Sequence, residues 1–182
     1  MRDTIFLIGG KKHHYKVINN ISKYFIIKSV LTDFNDLRYI ENSYVFVIGS
    51  KIITKEIIDH CQKSNILLLN LHSGDTRKYR GMDCEYWSLF YDNNIIYTMH
   101  EIEVTIDTGL IYDQAMVDLK GLKSLDGLKD RIADSYIYLI KKFLIHPYQP
   151  KDLNDKGIGK YYKPISSNII KIINERLNRG GI

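Results

Sequence analysis

Three short apolar runs, each closed by a residue that turns or redirects the chain, limit the possible folds more than any other feature of this sequence. Ile5–Ile8 ends in Gly9-Gly10, Tyr44–Ile48 ends in Gly49, and Ile66–Leu69 ends at Asn70. Continuous apolar runs of this length belong to strands buried on both faces. Such strands sit in parallel sheets covered by helices. The intervening stretches fit that reading. Lys11–Ile21 is weakly amphipathic and helical. Thr54 stands at an N-cap position before a helix to about Lys63, which carries Ile57, Ile58 and Cys61 on one face. Tyr24–Val30 reads as a further β-rich run and Asp33–Asn42 as a short polar connection. The alternation predicts an α/β fold, a Rossmann-like and mostly parallel sheet flanked by helices. Ligands of such sheets bind beyond the carboxyl ends of the strands, where Asn70 and His72 fall.

The second half follows the same grammar. Met82–Phe90 suits a helix carrying Trp87, and Asn93-Asn94 a turn. Ile95–Val104 and Leu110–Val117 have β character, with Asp107-Thr108-Gly109 as the loop between them. From Ser124 to Ile145, Leu125, Leu128, Ile132, Tyr136, Leu139, Ile140 and Phe143 recur at three and four, the spacing of an amphipathic helix. It can cover the sheet or form a homodimer contact. Pro147 and Pro150 end it. Asp152–Lys163 reads as a polar loop and Ile165–Leu177 as a short final helix.

Composition narrows the partners. A hydrophobic share of 45% is enough for a packed core. The net charge of +5 is spread out, without a block of five like charges. That suits a solvated basic surface or a phosphorylated small molecule. Nucleic acid is disfavoured, because no basic stripe interleaved with aromatics extends beyond Arg77–Arg80. Two cysteines without a CxxC exclude a disulfide framework and a structural zinc site, so both are expected as free thiols. His13-His14 has no nearby carboxylate or thiol partner in sequence, so no metal is expected there. The apolar run after Met1-Arg2-Asp3 is too short for a signal-peptide core. No run approaches the roughly 18–20 residues of a membrane span. A cytoplasmic protein that does not contact membranes is expected.

Asn70, His72 and Asp107 form a chemically useful set. Asn70 and His72, at i and i+2, project to one side of an extended segment. An amide donates hydrogen bonds without titrating, an imidazole can shuttle protons near neutrality, and a carboxylate can take a proton or orient the imidazole. Together they suit acyl transfer to an amine. Alone, Asn-x-His also reads as a strand-end polar pair. His100, on a β-like segment, reads as structural or as a support behind the reacting groups.

The ordered pattern in "LLLNLHSGDTRKYRGMDCEYWSLF…TMHEIEVTIDTGLIYDQ" resembles the folate-dependent formyltransferase family. Asn70-Leu71-His72 is followed by Arg80-Gly81, Trp87, His100 and Asp107-Thr108-Gly109, in that order. The likeness is strong from Ile66 to Gln114 and weaker through Ile48–Cys61. It implies N10-formyltetrahydrofolate as donor, with Asn70, His72 and Asp107 catalytic. It also implies donor contacts at Ser50, Lys51 and Ile53, and at Val104, Thr105 and Ile106. Residues 1–146 would form the formyltransferase-like catalytic domain, and 147–182 a C-terminal loop and short helix packed on or beside it. Arg77, Lys78, Arg80 and Trp87 are candidates for substrate contact, the alternatives being a solvated loop and helix packing. The departures at Ser73, Asp75-Thr76-Arg77 and Ile96-Tyr97-Thr98 bear on substrate more than on chemistry. The favoured acceptor is the amine of a nucleotide-linked amino sugar. A glycinamide-ribonucleotide enzyme is the alternative, as is a non-catalytic folate- or nucleotide-binding relative. Gly9-Gly10-Lys11-Lys12 could hold a phosphate, although it matches no standard glycine-rich pattern.

Overall fold

The computed structural model describes residues 2–49, 51–150, 152 and 155–180. Its main sheet has six strands: β1 (Asp3–Ile8), β2 (Ser29–Leu31), β3 (Ser43–Ile48), β4 (Leu67–His72), β6 (Ile96–Glu101) and β7 (Ile111–Met116). Their spatial order is β2-β1-β3-β4-β6-β7. The first four are parallel, whereas β6 runs antiparallel to β4, and β7 to β6. The chain moves from β1 outward to β2 and then returns to β3 on the other side of β1. This reversal opens a crevice at the carboxyl ends of β1 and β3.

Strand periodicity splits the core in two. Phe6, Ile8, Phe46, Ile48, Leu69 and Leu71 face α1 (Lys12–Ile21) and α4 (Leu125–Ile145). Ile5, Leu7, Val45, Val47 and Leu68 face α2 (Lys55–Lys63) and a short 3-10 helix at Phe34–Tyr39. Helix α4 buries Leu128, Ile132, Tyr136, Leu139, Ile140 and Phe143, the stripe expected from its spacing. The Ser124 side chain caps it by accepting from the Gly127 N–H. Thr54 occupies the N-cap position of α2, but its hydroxyl makes no capping bond.

Three expectations need correction. The Tyr24–Val30 run is a strand only at its end, because Tyr24 and Ile26 are exposed and only Phe25 and Ile27 pack on the core. Strand β4 runs on through His72, so Asn70 and His72 lie within its last residues. The Asp152–Lys163 segment is not all loop. Its β8 (Lys160–Tyr162) pairs in parallel with β5 (Tyr79–Gly81). Beyond this small sheet, α5 (Ser167–Asn178) packs against α3 (Cys84–Asp92).

Candidate active site

Period-two geometry sends Leu69 and Leu71 into the core and turns Asn70 and His72 to the other face of β4. Antiparallel β6 places His100 directly opposite Asn70. The connection from β6 to β7 then returns Asp107 to the same spot. Asp107 adopts a left-handed backbone conformation, with φ of 55°. Two residues on, a Cβ at Gly109 would sit 1.8 Å from the Glu101 carbonyl oxygen, so only glycine lets this loop lie so close.

The four side chains form a closed polar network. The Asn70 amide donates to Asp107 Oδ1 at 3.3 Å, and its nitrogen lies 3.1 Å from His100 Nε2. The Gly81 N–H donates to Asp107 Oδ2 at 2.8 Å. His72 Nδ1 stands 3.5 Å from the same oxygen. Backbone carbonyls select the imidazole tautomers. His72 Nε2 lies 3.0 Å from the Tyr79 oxygen, and His100 Nδ1 lies 2.8 Å from the Glu101 oxygen. A carbonyl only accepts, so each of these nitrogens carries the proton. His72 Nδ1 and His100 Nε2 therefore turn lone pairs toward Asp107 and Asn70.

Burial pushes the His72 imidazole below its usual range and outweighs the opposing charge of Asp107, so His72 is neutral. Burial acts in the other sense on Asp107. There the positive charge that the imidazoles carry when protonated, with the Gly81 N–H, outweighs it and holds the carboxyl at about 2. Asp107 is thus an ionised proton acceptor beside a neutral imidazole. His72, His100 and Asp107 could in principle ligate a cation, since their donor atoms lie within 4.8 Å of one another. Yet the Asn70 amide already engages His100 Nε2 and Asp107 Oδ1, so hydrogen bonds alone close the set.

Above the network lies a cleft of about 1820 Å³. Lys51, Ile53, Val104 and Ile106 line it, as do Asn70, His72 and Asp107. Ser50 lies outside the described residues. Thr105 is exposed and is not part of the wall; its carbonyl accepts the Thr108 hydroxyl. The cleft is also lined by residues that the sequence did not assign to the catalytic set: His14, Ser73, Glu85 and Tyr136. His14 begins α1 and is only 2% exposed, packed beside Gly9 and Gly49. Its buried Nδ1 has no partner among the described residues. Burial, reinforced by His13 and Lys11, lowers its imidazole to about 4. His100, read as structural or as a support behind the reacting groups, joins the network through Asn70 and Asp107. Its strand register with Asn70 could have signalled this only once β4 and β6 were known to pair.

Arg77, Lys78, Arg80 and Trp87 do not line the cleft. The Arg77 guanidinium grips Asp155 with two nitrogens and also reaches Gln114. Lys78 pairs with Asp92, and Arg80 donates to the carbonyls of Gly159 and Ile106. The Trp87 indole donates to the Lys163 carbonyl and stacks on Tyr91. These four side chains make contacts within the chain that fasten β5, the segment entering β8, and α3.

No protein-family model matches this sequence, and no curated protein matches it. Solved structures do match. The methionyl-tRNA formyltransferase of Clostridium thermocellum is 19% identical with a TM-score of 0.71, covering 96% of this chain and 81% of that one. An N-formyltransferase of Helicobacter canadensis, in complex with folinic acid and dTDP-3-aminofucose, is 16% identical at 0.66, covering 89% and 71%. The formyltransferase PseJ of Anoxybacillus kamchatkensis, in complex with UDP-4,6-dideoxy-4-formamido-L-AltNAc and tetrahydrofolate, is 20% identical at 0.60, covering 88% and 85%. The fold is therefore the formyltransferase fold, a mixed sheet of mostly parallel strands flanked by helices.

Proposed function

We propose that this chain is a folate-dependent N-formyltransferase that formylates the amine of a nucleotide-linked amino sugar. The observation that carries the reading is the closed Asn70–His72–His100–Asp107 network on the wall of one large cleft. At about 1820 Å³ the cleft exceeds the roughly 300–1,000 Å³ of a single-ligand pocket, so it has room for donor and acceptor together. The apolar side chains of Ile53, Val104 and Ile106 suit a flat pterin ring. The folates and nucleotide sugars held by the Helicobacter and Anoxybacillus proteins support the same pair of ligands here.

N10-formyltetrahydrofolate would supply the formyl group, and the chain would supply the rest. Asp107, ionised and facing the cleft, takes a proton from the attacking amine. His72 Nδ1 faces that carboxylate and can pass a proton onward while Nε2 stays bonded to Tyr79. Asn70 serves the negative charge that develops on the formyl oxygen. Both of its amide hydrogens are engaged in this state, so it must release one, and the longer 3.3 Å bond to Asp107 is the weaker tie. Once Asp107 gains a proton it needs that bond less. Lys11, Lys12 and the buried His14, which also line the cleft, lie at the amino end of α1 and suit the diphosphate of the sugar nucleotide.

The decisive experiment incubates the protein with N10-formyltetrahydrofolate and a panel of amines, with products read by mass spectrometry. Formylation of dTDP- or UDP-linked amino sugars is expected. Transfer only to glycinamide ribonucleotide would replace the sugar by the second acceptor, which the basic α1 turn also favours. Folate binding without any transfer would leave a binding protein.

A further inference from the structure

Several carboxyl groups of the cleft have no part in the scheme above, and one of them, Glu85, is held by a hydroxyl next to His72. Glu85 sits in the first turn of α3 and lines the same cleft. The hydroxyl of Ser73, the residue directly after His72, donates to Glu85 Oε2 at 2.6 Å. Every element around this carboxyl presents a polar group to it. Asp83, Cys84 and Tyr86 come from α3 and its cap, Tyr97 from β6, Tyr136 from α4 and Lys11 from the cap of α1. The Tyr97 hydroxyl is fully buried and has no partner among the described residues. Of these groups only Lys11 is cationic, and it stands on the basic rim. Within the cleft that it shares with Asn70, His72 and Asp107, this carboxyl therefore faces one distant cation and several uncharged or acidic groups.

Proton balance indicates what it receives. An acceptor amine arrives at neutral pH as R–NH3+. Transfer forms a bond from its nitrogen to the formyl carbon and breaks the bond from that carbon to N10 of the folate. The products are R–NH–CHO, a folate N10–H and one free proton. Two protons leave the amine nitrogen, and Asp107 with His72 can return only one of them to N10. The other needs a separate acceptor with a path to solvent.

Resting on the formyl-transfer reading, we infer that Glu85, oriented by Ser73, binds the ammonium of the acceptor and takes its first proton. The free amine then attacks, Asp107 takes the second proton, and Glu85 releases the first through the mouth of the cleft. Burial pushes the Glu85 carboxyl above the usual range, against the Ser73 bond, its own backbone N–H and Lys11, with Asp83 adding to the rise. That makes it a better proton acceptor than Asp107 at about 2.

The test uses the full chain and its Glu85→Gln variant, which keeps the shape and an acceptor for Ser73 but cannot take the proton. Binding is measured by calorimetry at pH 7 without folate, for a dTDP-linked amino sugar and for its hydroxyl analogue. The variant is expected to bind the amino sugar at least tenfold more weakly and the analogue unchanged. In transfer assays its deficit should narrow above about pH 9, where the acceptor is already a free amine. Equal weakening toward both ligands, or a deficit independent of pH, would make Glu85 merely structural and overturn the inference. So would a variant indistinguishable from the parent. Selective binding of the amino sugar by the parent, lost in the variant but with no transfer by either, would retain the ammonium site and reject the formyl-transfer reading and the proton step that depends on it.

Discussion

At the residue scale, Asp107 carries the most. Its carboxylate accepts from Asn70 and Gly81 and faces His72. Asp107→Asn preserves the size but removes the base. We expect transfer to fall by about 10²- to 10⁴-fold, with folate binding retained, as read by single-turnover assays beside fluorescence titration. Gly109→Ala reaches the same residue through the backbone. Its Cβ would lie 1.8 Å from the Glu101 carbonyl oxygen, a fixed atom that cannot rotate away. The loop must shift, at about 1–3 kcal/mol, and urea unfolding should show that loss together with slower transfer. That Asn70, His72 and Asp107 come together was legible only from their ordered pattern, since each alone also reads as a polar residue at a strand end or loop. For Arg77, Lys78, Arg80 and Trp87 the sequence left substrate contact, a solvated loop and helix packing open, for a physical reason. Whether an arginine grips a ligand or an aspartate of its own chain depends on what the fold brings to it, and Asp155 lies seventy-eight positions away.

At the scale of elements, the long α4 and the apolar strands β1, β3 and β4 were legible because each has a strong period or a continuous run. The small β5–β8 sheet was not. Each strand has three residues, too few for a period, and they meet only in the folded chain. The pairing is nonetheless tight. A Cβ at Gly159 would lie 2.4 Å from the Lys78 backbone, and one at Gly157 would lie 1.8 Å from the Asp107 carbonyl oxygen. The C-terminal segment thus rests on the backbone of the residue proposed as base. Arg77 ties the two parts through Asp155. The pair is partly exposed, so Arg77→Ala should cost only about 1 kcal/mol. Hydrogen exchange offers a sensitive readout. The amides of Gly159 and Lys160, bonded to the Thr76 and Lys78 carbonyls, should exchange about fivefold faster if opening is local. Amides in β1 and β3 should not change.

For the whole molecule, the same burial that organises the site sets its response to acid. His14 and His72 are 2% and 6% exposed and are held neutral in the folded chain. In the unfolded chain both would take a proton as the pH falls through about 6.5. The unfolded state then binds more protons than the folded one, so stability falls with falling pH. For His14 the slope is about 1.4 kcal/mol per pH unit between about 6.5 and the folded value of about 4. Asp107 adds a loss of the same sign further down. Its folded value of about 2 lies below the model-peptide carboxylate range, so its contribution is present above that range and disappears as the pH approaches 2. Among the described residues no helix is long and apolar enough to cross a membrane. The urea midpoint should drop steeply between pH 7 and pH 5. His14→Gln should flatten that drop by about 2 kcal/mol, since glutamine cannot bind the proton that the unfolded histidine takes up. A variant with the parent's pH dependence would mean that His14 is protonated in the folded chain, with its buried Nδ1 satisfied by an anion at the amino end of α1.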